Sequence, residues 1–307
     1  MSLVIAMGRP EVRLKNLLLP GIARFGTHPP RKLMLPASRE DCKGKASNTP
    51  KISIVVPSLN QGCFIEETLK SIVGQAYPNL ELIVIDGGSS DGSLDVIKSF
   101  ESHLAWWVSE PDNGQAAAIN KGFLKATGEI MAWVNSDDRV APDALYRVAD
   151  YFQTHSETQV LYGNRILIDE QSREIGRWIL PAHSDKVLKW LDFVPQETLY
   201  WRRNAWDMIG GQLDESFRFA MDWDLLLRFA GLHLKIENIP YVLGLFRIHP
   251  AQKTQKDMPS TGQEEMQKLH LRELGFLPSH RQVILNILPY LLAAKIHELN
   301  SNFGFSR

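Results

Sequence analysis

The segment Ile130-Met131-Ala132-Trp133-Val134 reads as a buried strand, yet it ends in Asn135-Ser136-Asp137-Asp138, an amide, a hydroxyl and two carboxylates. Adjacent carboxylates repel one another, and a divalent cation with its ligand relieves that repulsion. An acidic surface turn is the alternative, because turns favour the same residues. Three further polar clusters follow apolar runs. They are Pro57-Ser58-Leu59-Asn60, Asp86-Gly87-Gly88-Ser89-Ser90-Asp91-Gly92, and Ser109-Glu110-Pro111-Asp112-Asn113-Gly114. Asp86, followed by small residues, suits hydrogen bonding to a base or ribose with close backbone approach, and it equally suits a turn. Later in the chain, Asp222 and Asp224 open an apolar helical pattern in Met221-Asp222-Trp223-Asp224-Leu225-Leu226-Leu227-Arg228. There a dipole-stabilised helix start with an Asp224 to Arg228 pair is the structural alternative to catalysis.

The elements that must position these groups alternate regularly. Ile52 to Val56 is a short strand stopped by Pro57, and Ile65, Leu69, Ile72 and Val73 follow at helical spacing. Leu80 to Ile85 is the second strand, followed by a helix from Ser93, its expected cap, to Phe100. Ala105 to Val108, Gln115 to Ala126 and Glu129 to Val134 complete a strand, a helix and a strand. Such a series predicts an α/β fold, a mostly parallel central sheet with helices on both faces. Ligands of these sheets bind beyond the carboxyl ends of the strands, where all four polar clusters fall.

Composition narrows the function. The 307 residues carry 34 Lys and Arg against 35 Asp and Glu, a formal charge of −1 that argues against a nucleic-acid binder. Cys42 and Cys63 are too few for a disulfide framework, so a reducing setting is the default. Gly87, Gly88 and Gly92 do not form the dinucleotide fingerprint G-x-G-x-x-G, and no P-loop occurs. In residues 1–50, nine basic residues face three acids, and Leu17-Leu18-Leu19 is too short to span a bilayer. This region reads as a loosely structured basic extension, either a tail without function or a contact for acidic lipid. Val283 to Ile296, interrupted by Asn286 and Pro289, reads as a helix packed on the domain, with membrane docking flanked by Arg281 and Lys295 as the alternative. The cytoplasm, including the inner face of the membrane, is the expected location.

Taken together, Val56-Pro57-Ser58-Leu59-Asn60, Val84-Ile85-Asp86-Gly87-Gly88, Glu110-Pro111-Asp112-Asn113-Gly114 leading to Ala118-Ile119-Asn120-Lys121-Gly122, and Asn135-Ser136-Asp137-Asp138 resemble the family 2 glycosyltransferases of the GT-A fold. The resemblance covers roughly residues 51–250. It implies a 51–140 donor half, a 141–250 acceptor half and a helical tail at 251–307. The implied reaction is inverting transfer of a sugar from a nucleotide-diphosphate sugar, with a UDP-sugar expected first, to a hydroxyl of a polysaccharide, lipid-linked or similar acceptor.

By the same resemblance, Pro57, Ser58, Asn60, Asp86, Gln115, Asn135, Ser136 and Asp137 hold the nucleotide-sugar. Asp137, joined by His249, binds Mg²⁺ or Mn²⁺. Asn135 departs from the family's usual carboxylate, which leaves Asp137 the principal ligand. Asp222 aligns with the aspartate of the family's Glu-Asp element and becomes the general base, while Met221 stands where the glutamate is usual. Gln196, Glu197, Trp223 and Asp224 are the acceptor candidates. Arg202 and Arg203 suit a phosphate contact or a solvated surface equally. Trp201, Trp206 and Trp223 are placed for sugar contact with packing as the default for each, and Trp106, Trp107 and Trp133 are expected in the core. Gln252 to Lys256 is the expected lid. Two alternatives remain. A sugar-phosphate nucleotidyltransferase would want a basic glycine-rich loop after the first strand, which Pro57 to Gly62 lacks. A non-catalytic nucleotide-sugar-binding module would not need Asp137, Asp138, Asp222 and His249, all present here.

Overall fold

The computed structural model describes residues 27–35, 49–252 and 258–304. The sheet is centred on four parallel strands, β2 (Ile52–Ser58), β3 (Leu80–Asp86), β4 (Trp106–Ser109) and β5 (Ile130–Trp133), ordered β5-β2-β3-β4. Both faces of β2, β3 and β5 are buried, which is why their sequences are nearly continuous apolar runs. Alternate residues serve different cores: Val55, Ile83, Ile85, Met131 and Trp133 face one, while Ile54, Val56, Leu82, Val84 and Ala132 face the other.

Helices cover both faces. On the second core lie α1 (Ile65–Val73), α2 (Ser93–Ser99) and α4 (Ala144–Thr154). On the first lies α3 (Gln115–Phe123), drawn so close to β2 that a Cβ on Gly122 would sit 2.5 Å from Val55 Cγ1. The α/β class, with a mostly parallel central sheet between helices, is therefore as expected.

Beyond β5 the sheet becomes mixed. β6 is Arg139–Val140, β7 is Val160–Ile168, β8 is Glu174–Trp178, β9 is Tyr200–Arg202 and β10 is Ile236–Arg247. β9 bridges β5 and β7 antiparallel, while β10 runs parallel to β7 and antiparallel to β6. Helices α5 (Asp185–Leu188), α6 (Arg203–Met208), α7 (Met221–Gly231), α8 (Gln263–Leu274) and α9 (His280–Gly304) complete the described chain.

Three local expectations change. Pro57 does not end its strand: β2 pairs with β5 only as far as Val55, so beyond it the proline's missing N–H faces no ladder partner, and pairing with β3 continues to Ser58. Ser93 is the first residue of α2 and not its cap; Gly92 takes that place at φ 93°, and Asp91 Oδ1 accepts from Ser93 N at 3.1 Å. Within the basic extension, Thr27–Arg31 forms a strand, β1, antiparallel to β8. The buried Glu174 of β8 holds it through Arg31 at 2.5 Å and His28 at 3.2 Å. Most of the extension, with Cys42, lies outside the described residues, as do Lys253 to Lys256 of the expected lid and Phe305 to Arg307.

The carboxyl-terminal segment packs on the first core. Ile287, Tyr290, Leu291 and Ala294 of α9 are buried there, and Leu269 of α8 is fully enclosed.

Candidate active site

The carboxyl ends of β2 and β5 open into a cavity of about 460 Å³, also lined by Arg165, Asp192, Phe219, Phe246 and Met266 from the second half of the chain. Its floor is Trp133, and the chain that leaves β5 wraps around one wall as Asn135-Ser136-Asp137-Asp138. This turn is braced at every residue. Asn135 Oδ1 accepts from Gln115 Nε2 at 2.7 Å, and Asn135 Nδ2 donates to Gln196 Oε1 at 3.1 Å. Thr68 Oγ1 donates to the carbonyls of Ser136 and Asp138 at 2.9 and 2.6 Å. Gln196 Nε2 in turn donates to Trp133 O at 2.9 Å.

The two carboxylates then diverge. Asp138 turns inward, where its Oδ1 accepts from the backbone N of Arg247 at 2.9 Å. Burial first, and the neighbouring charge of Asp137 second, push its pKa well above the usual carboxylate range. Asp137 keeps its carboxylate at the cavity, with Oδ2 3.0 Å from His249 Nε2. His249 is itself buried and packs on the Phe64 ring at 4.7 Å between centroids.

Below the turn lies Arg247, whose side chain has no solvent exposure. It donates to Asp137 O at 2.9 Å, to the carbonyls of Asp169 and Glu170 at 3.1 and 3.2 Å, to Ser172 Oγ at 3.1 Å and to Glu67 Oε2 at 2.8 Å. Its guanidinium also lies 4.8 Å from the Phe64 ring centroid. Arg247 is not among the sequence candidates; a charged residue closing an apolar strand is the available signal.

The amino end of α7 also lines the cavity. Asp222 is half-buried at the cavity, and its Oδ1 accepts from Trp223 N at 2.9 Å. Burial, and then the charge of Asp192, push its pKa from 3.8 up to about 6. Asp192 lines the same cavity and was not singled out from sequence; its place in the apolar stretch Trp190-Leu191-Asp192-Phe193-Val194 was the clue. Arg165 was also missed. It lies 4.7 and 4.5 Å from the ring centroids of Trp178 and Phe246, pairs with Glu197 at 2.7 Å, and its buried Nε has no hydrogen-bond partner. A charge inside the apolar run of β7 was the signal there.

Not every expected residue reaches the cavity. Pro57, Ser58, Gln115, Asn135, Ser136, Asp137, Gln196, Asp222 and Trp223 line it, and the buried Ser58 Oγ has no partner. Asp86 does not line it: its carboxylate accepts from Gly88 N, Ser89 N, Ser89 Oγ and Ser109 Oγ at 2.5–3.2 Å, holding its own loop against β4. Asn60, at φ 53°, stands exposed outside the lining, its Oδ1 accepting from Ser90 N at 2.9 Å. Glu197 is buried behind the wall on Arg165. Asp224 lies about 200° around the helix from Asp222, so it faces away from the cavity and pairs with Arg272 and Arg228. Trp201 and Trp206 stack on each other at 5.8 Å in the core. Arg202 and Arg203 bond carbonyls at the other end of the strands, at Thr158 and Gly128. Trp133 is core as expected, whereas Trp106 and Trp107 are half-buried.

Among the described residues, Asp112, Asp137, Asp192 and Asp222, together with Asp138 whose pKa is raised, line the cavity with one cation, Arg165. Such a surface attracts cations and repels a bare diphosphate. No cluster of three or more His, Cys, Asp or Glu suited to a metal occurs among the described residues. Asp137 with His249 is a two-donor set, which fits an ion that completes its shell from substrate phosphates and water.

This sheet, with acids beyond its parallel strand ends, is an arrangement shared with known proteins. The sequence profile described as Glycosyl transferase family 2 matches residues 53–213, more than half the chain. The chain belongs to glycosyltransferase family 2. It is an enzyme of that family and has the GT-A fold.

An uncharacterized glycosyltransferase from Nostoc sp. is 27% identical over 228 residues, 70% of each chain. A PGL/p-HBAD biosynthesis glycosyltransferase from Mycobacterium bovis is 30% identical over 183 residues, 58% of this chain and 69% of that one. Among solved structures, S. aureus TarS 1–349 in complex with UDP-GlcNAc superposes at a TM-score of 0.59 with 19% identity, over 79% of this chain and 72% of that one. The mannosyltransferase PcManGT from Pyrobaculum calidifontis, in complex with GDP-Man and Mn²⁺, does so at 0.57 with 18% identity, over 95% and 80%. At these identities the structural likeness speaks for the fold.

Proposed function

We propose that this family 2 glycosyltransferase transfers a sugar, with inversion, from a nucleotide-diphosphate sugar bound beyond β2 and β5 to an acceptor hydroxyl presented to Asp222. The observation that carries this reading is that two carboxylates line one cavity: Asp137, whose Oδ2 lies 3.0 Å from the Nε2 of the buried His249, and Asp222 with its raised pKa. Asp222, with a pKa of about 6, is ionised at neutral pH and basic enough to take the acceptor proton as its oxygen attacks the anomeric carbon. One base suffices for a single displacement, and no protein nucleophile is needed.

On the donor wall, Pro57, Ser58, Gln115 and Ser136 are assigned to the nucleotide, with the unpartnered Ser58 Oγ available to a ligand oxygen or nitrogen. Asn135, held between Gln115 and Gln196, offers hydrogen bonds and no charge. Asp86 and Asn60 act indirectly by shaping the loop of residues 86–90. Asp137 and His249 would hold Mg²⁺ or Mn²⁺, whose chemistry there is to neutralise charge on the departing diphosphate. A UDP-sugar is the donor we assign first; TarS is described with UDP-GlcNAc and PcManGT with GDP-Man. The mycobacterial relative's name, PGL/p-HBAD biosynthesis, favours a lipid-linked or cell-envelope acceptor.

Thermal shift with a panel of UDP- and GDP-sugars, with and without Mn²⁺, tests the reading. A metal-dependent rise in Tm with at least one donor is expected, lost in Asp137→Ala. Indifference to every donor would remove the proposal.

A further inference from the structure

Three consecutive backbone N–H groups, those of Arg218, Phe219 and Ala220, donate to a single carboxylate, that of Glu265, at 2.7, 2.8 and 2.8 Å. Glu265 is buried in the first turn of α8, more than forty residues further along the chain. The three amides run directly into α7, whose second residue is Asp222. Buried N–H groups must find acceptors, and a negative charge at the amino end of a helix is additionally favoured by its dipole.

The rest of α8 reinforces this placement. Arg272 pairs with the buried Asp224, Lys268 Nζ lies 4.4 Å from the centre of the Phe217 ring, and Met266, next to Glu265, lines the cavity. Asp222 and Asp224 lie on different sides of α7, so α8 grips one side and the cavity receives the other. Glu265 itself does not line the cavity. It also lies outside the segment that matches the family, residues 53–213.

We infer that Glu265 is a positioning residue for sugar transfer: by gathering the amides of residues 218–220, it fixes the turn from which Asp222 enters the cavity. The carboxyl-terminal helix α8 is then a working part of the acceptor side. This rests on the reading of Asp222 as general base. Glutamine at 265 would present one acceptor oxygen and an NH₂ to three donors. Aspartate would keep the charge and fall one methylene short.

The test uses the full chain with Glu265→Gln, Glu265→Asp and, as a control on the exposed face, Glu264→Gln. Amide hydrogen exchange should accelerate at 218–220 in Glu265→Gln while residues 135–138 keep their protection. With the donor chosen by the thermal-shift panel, kcat for nucleotide release should fall about 10- to 100-fold, as expected when a reacting group is displaced by about an ångström. Calorimetric binding of that donor's nucleoside diphosphate with Mn²⁺ should stay unchanged. Glu265→Asp should recover part of both effects, and Glu264→Gln should change neither.

Wild-type kcat in Glu265→Gln would overturn the inference. So would a parallel loss of Tm, nucleotide binding and kcat, which marks a merely structural residue. Asp222→Asn separates the two readings: full turnover there defeats the base assignment and with it the positioning inference, whereas an inactive Asp222→Asn beside a fully active Glu265→Gln defeats the positioning alone.

Discussion

Asp222 sets stability against use. In the unfolded chain its carboxyl titrates near 3.8, and in the fold near 6, so between those values the native state binds the extra proton. The folded protein therefore loses stability from this group as pH rises from about 4 to about 6, and carries the full cost of the buried charge above that. Catalysis needs that charged form. Activity should thus rise with pH through an inflection near 6, read as kcat/KM against pH. Asp192→Asn, which removes the like charge, should move that inflection to lower pH. Asp222→Asn should abolish transfer and at the same time raise Tm at pH 7.5, an exchange expected of a strained site residue; a lower Tm would contradict this account of the burial. Asp222 was legible in the sequence only because the resemblance singled it out among helix-opening acids. Asp192 was not legible, since its effect on Asp222 acts through space across thirty residues of chain.

The turn after β5 is held as a unit, and the unit is larger than its sequence. Asn135 to Asp138 announced themselves as polar residues ending an apolar strand. What fixes their directions is Thr68 from α1, Gln115 from α3, Gln196 from the 3-10 turn Gln196–Thr198, and Arg247 from β10. Asp137 and Asp138 both line the cavity, but Arg247 N occupies Asp138 Oδ1 whereas Asp137 Oδ2 meets His249. Arg247→Met should therefore cost about 3 kcal/mol by denaturant unfolding, for the carbonyls left without a donor in a buried place. It should also weaken metal-dependent nucleotide binding although residue 247 does not line the cavity. Unaltered nucleotide binding in a stable variant would show that the turn holds itself.

Over the whole molecule, α9 shows a second scale of design. Ile287, Tyr290, Leu291 and Ala294 bury one side, while Leu285, Pro289, Leu292 and Ile296 form an exposed stripe on the other at spacings of four, three and four. No helix among the described residues is long and apolar enough to cross a membrane. Arg281 and Lys295 flank the stripe, and the prediction at this scale is that it meets an anionic lipid surface. The chain should float with vesicles containing phosphatidylglycerol and not with pure phosphatidylcholine, and Leu285→Glu with Leu292→Glu should abolish flotation. Vesicle binding that survives both substitutions would refute the assignment.

The sequence alone determined the βα order of residues 51–134, the edge of the sheet at which ligands must gather, and the family. These follow from local periodicity and from the rule that parallel strands present one end together, and neither needs distant contacts. Tertiary structure alone decided which acids reach the cavity. Asp86, Glu197 and Asp224 carry the same carboxyl group as Asp137 and Asp222, yet Glu197 and Asp224 are spent on Arg165 and Arg272, remote in sequence, and Asp86 on Ser109 of β4 together with its own loop at Gly88 and Ser89. A carboxylate's availability depends on which partners the fold brings within hydrogen-bonding distance, and that depends on contacts between segments that no local pattern encodes.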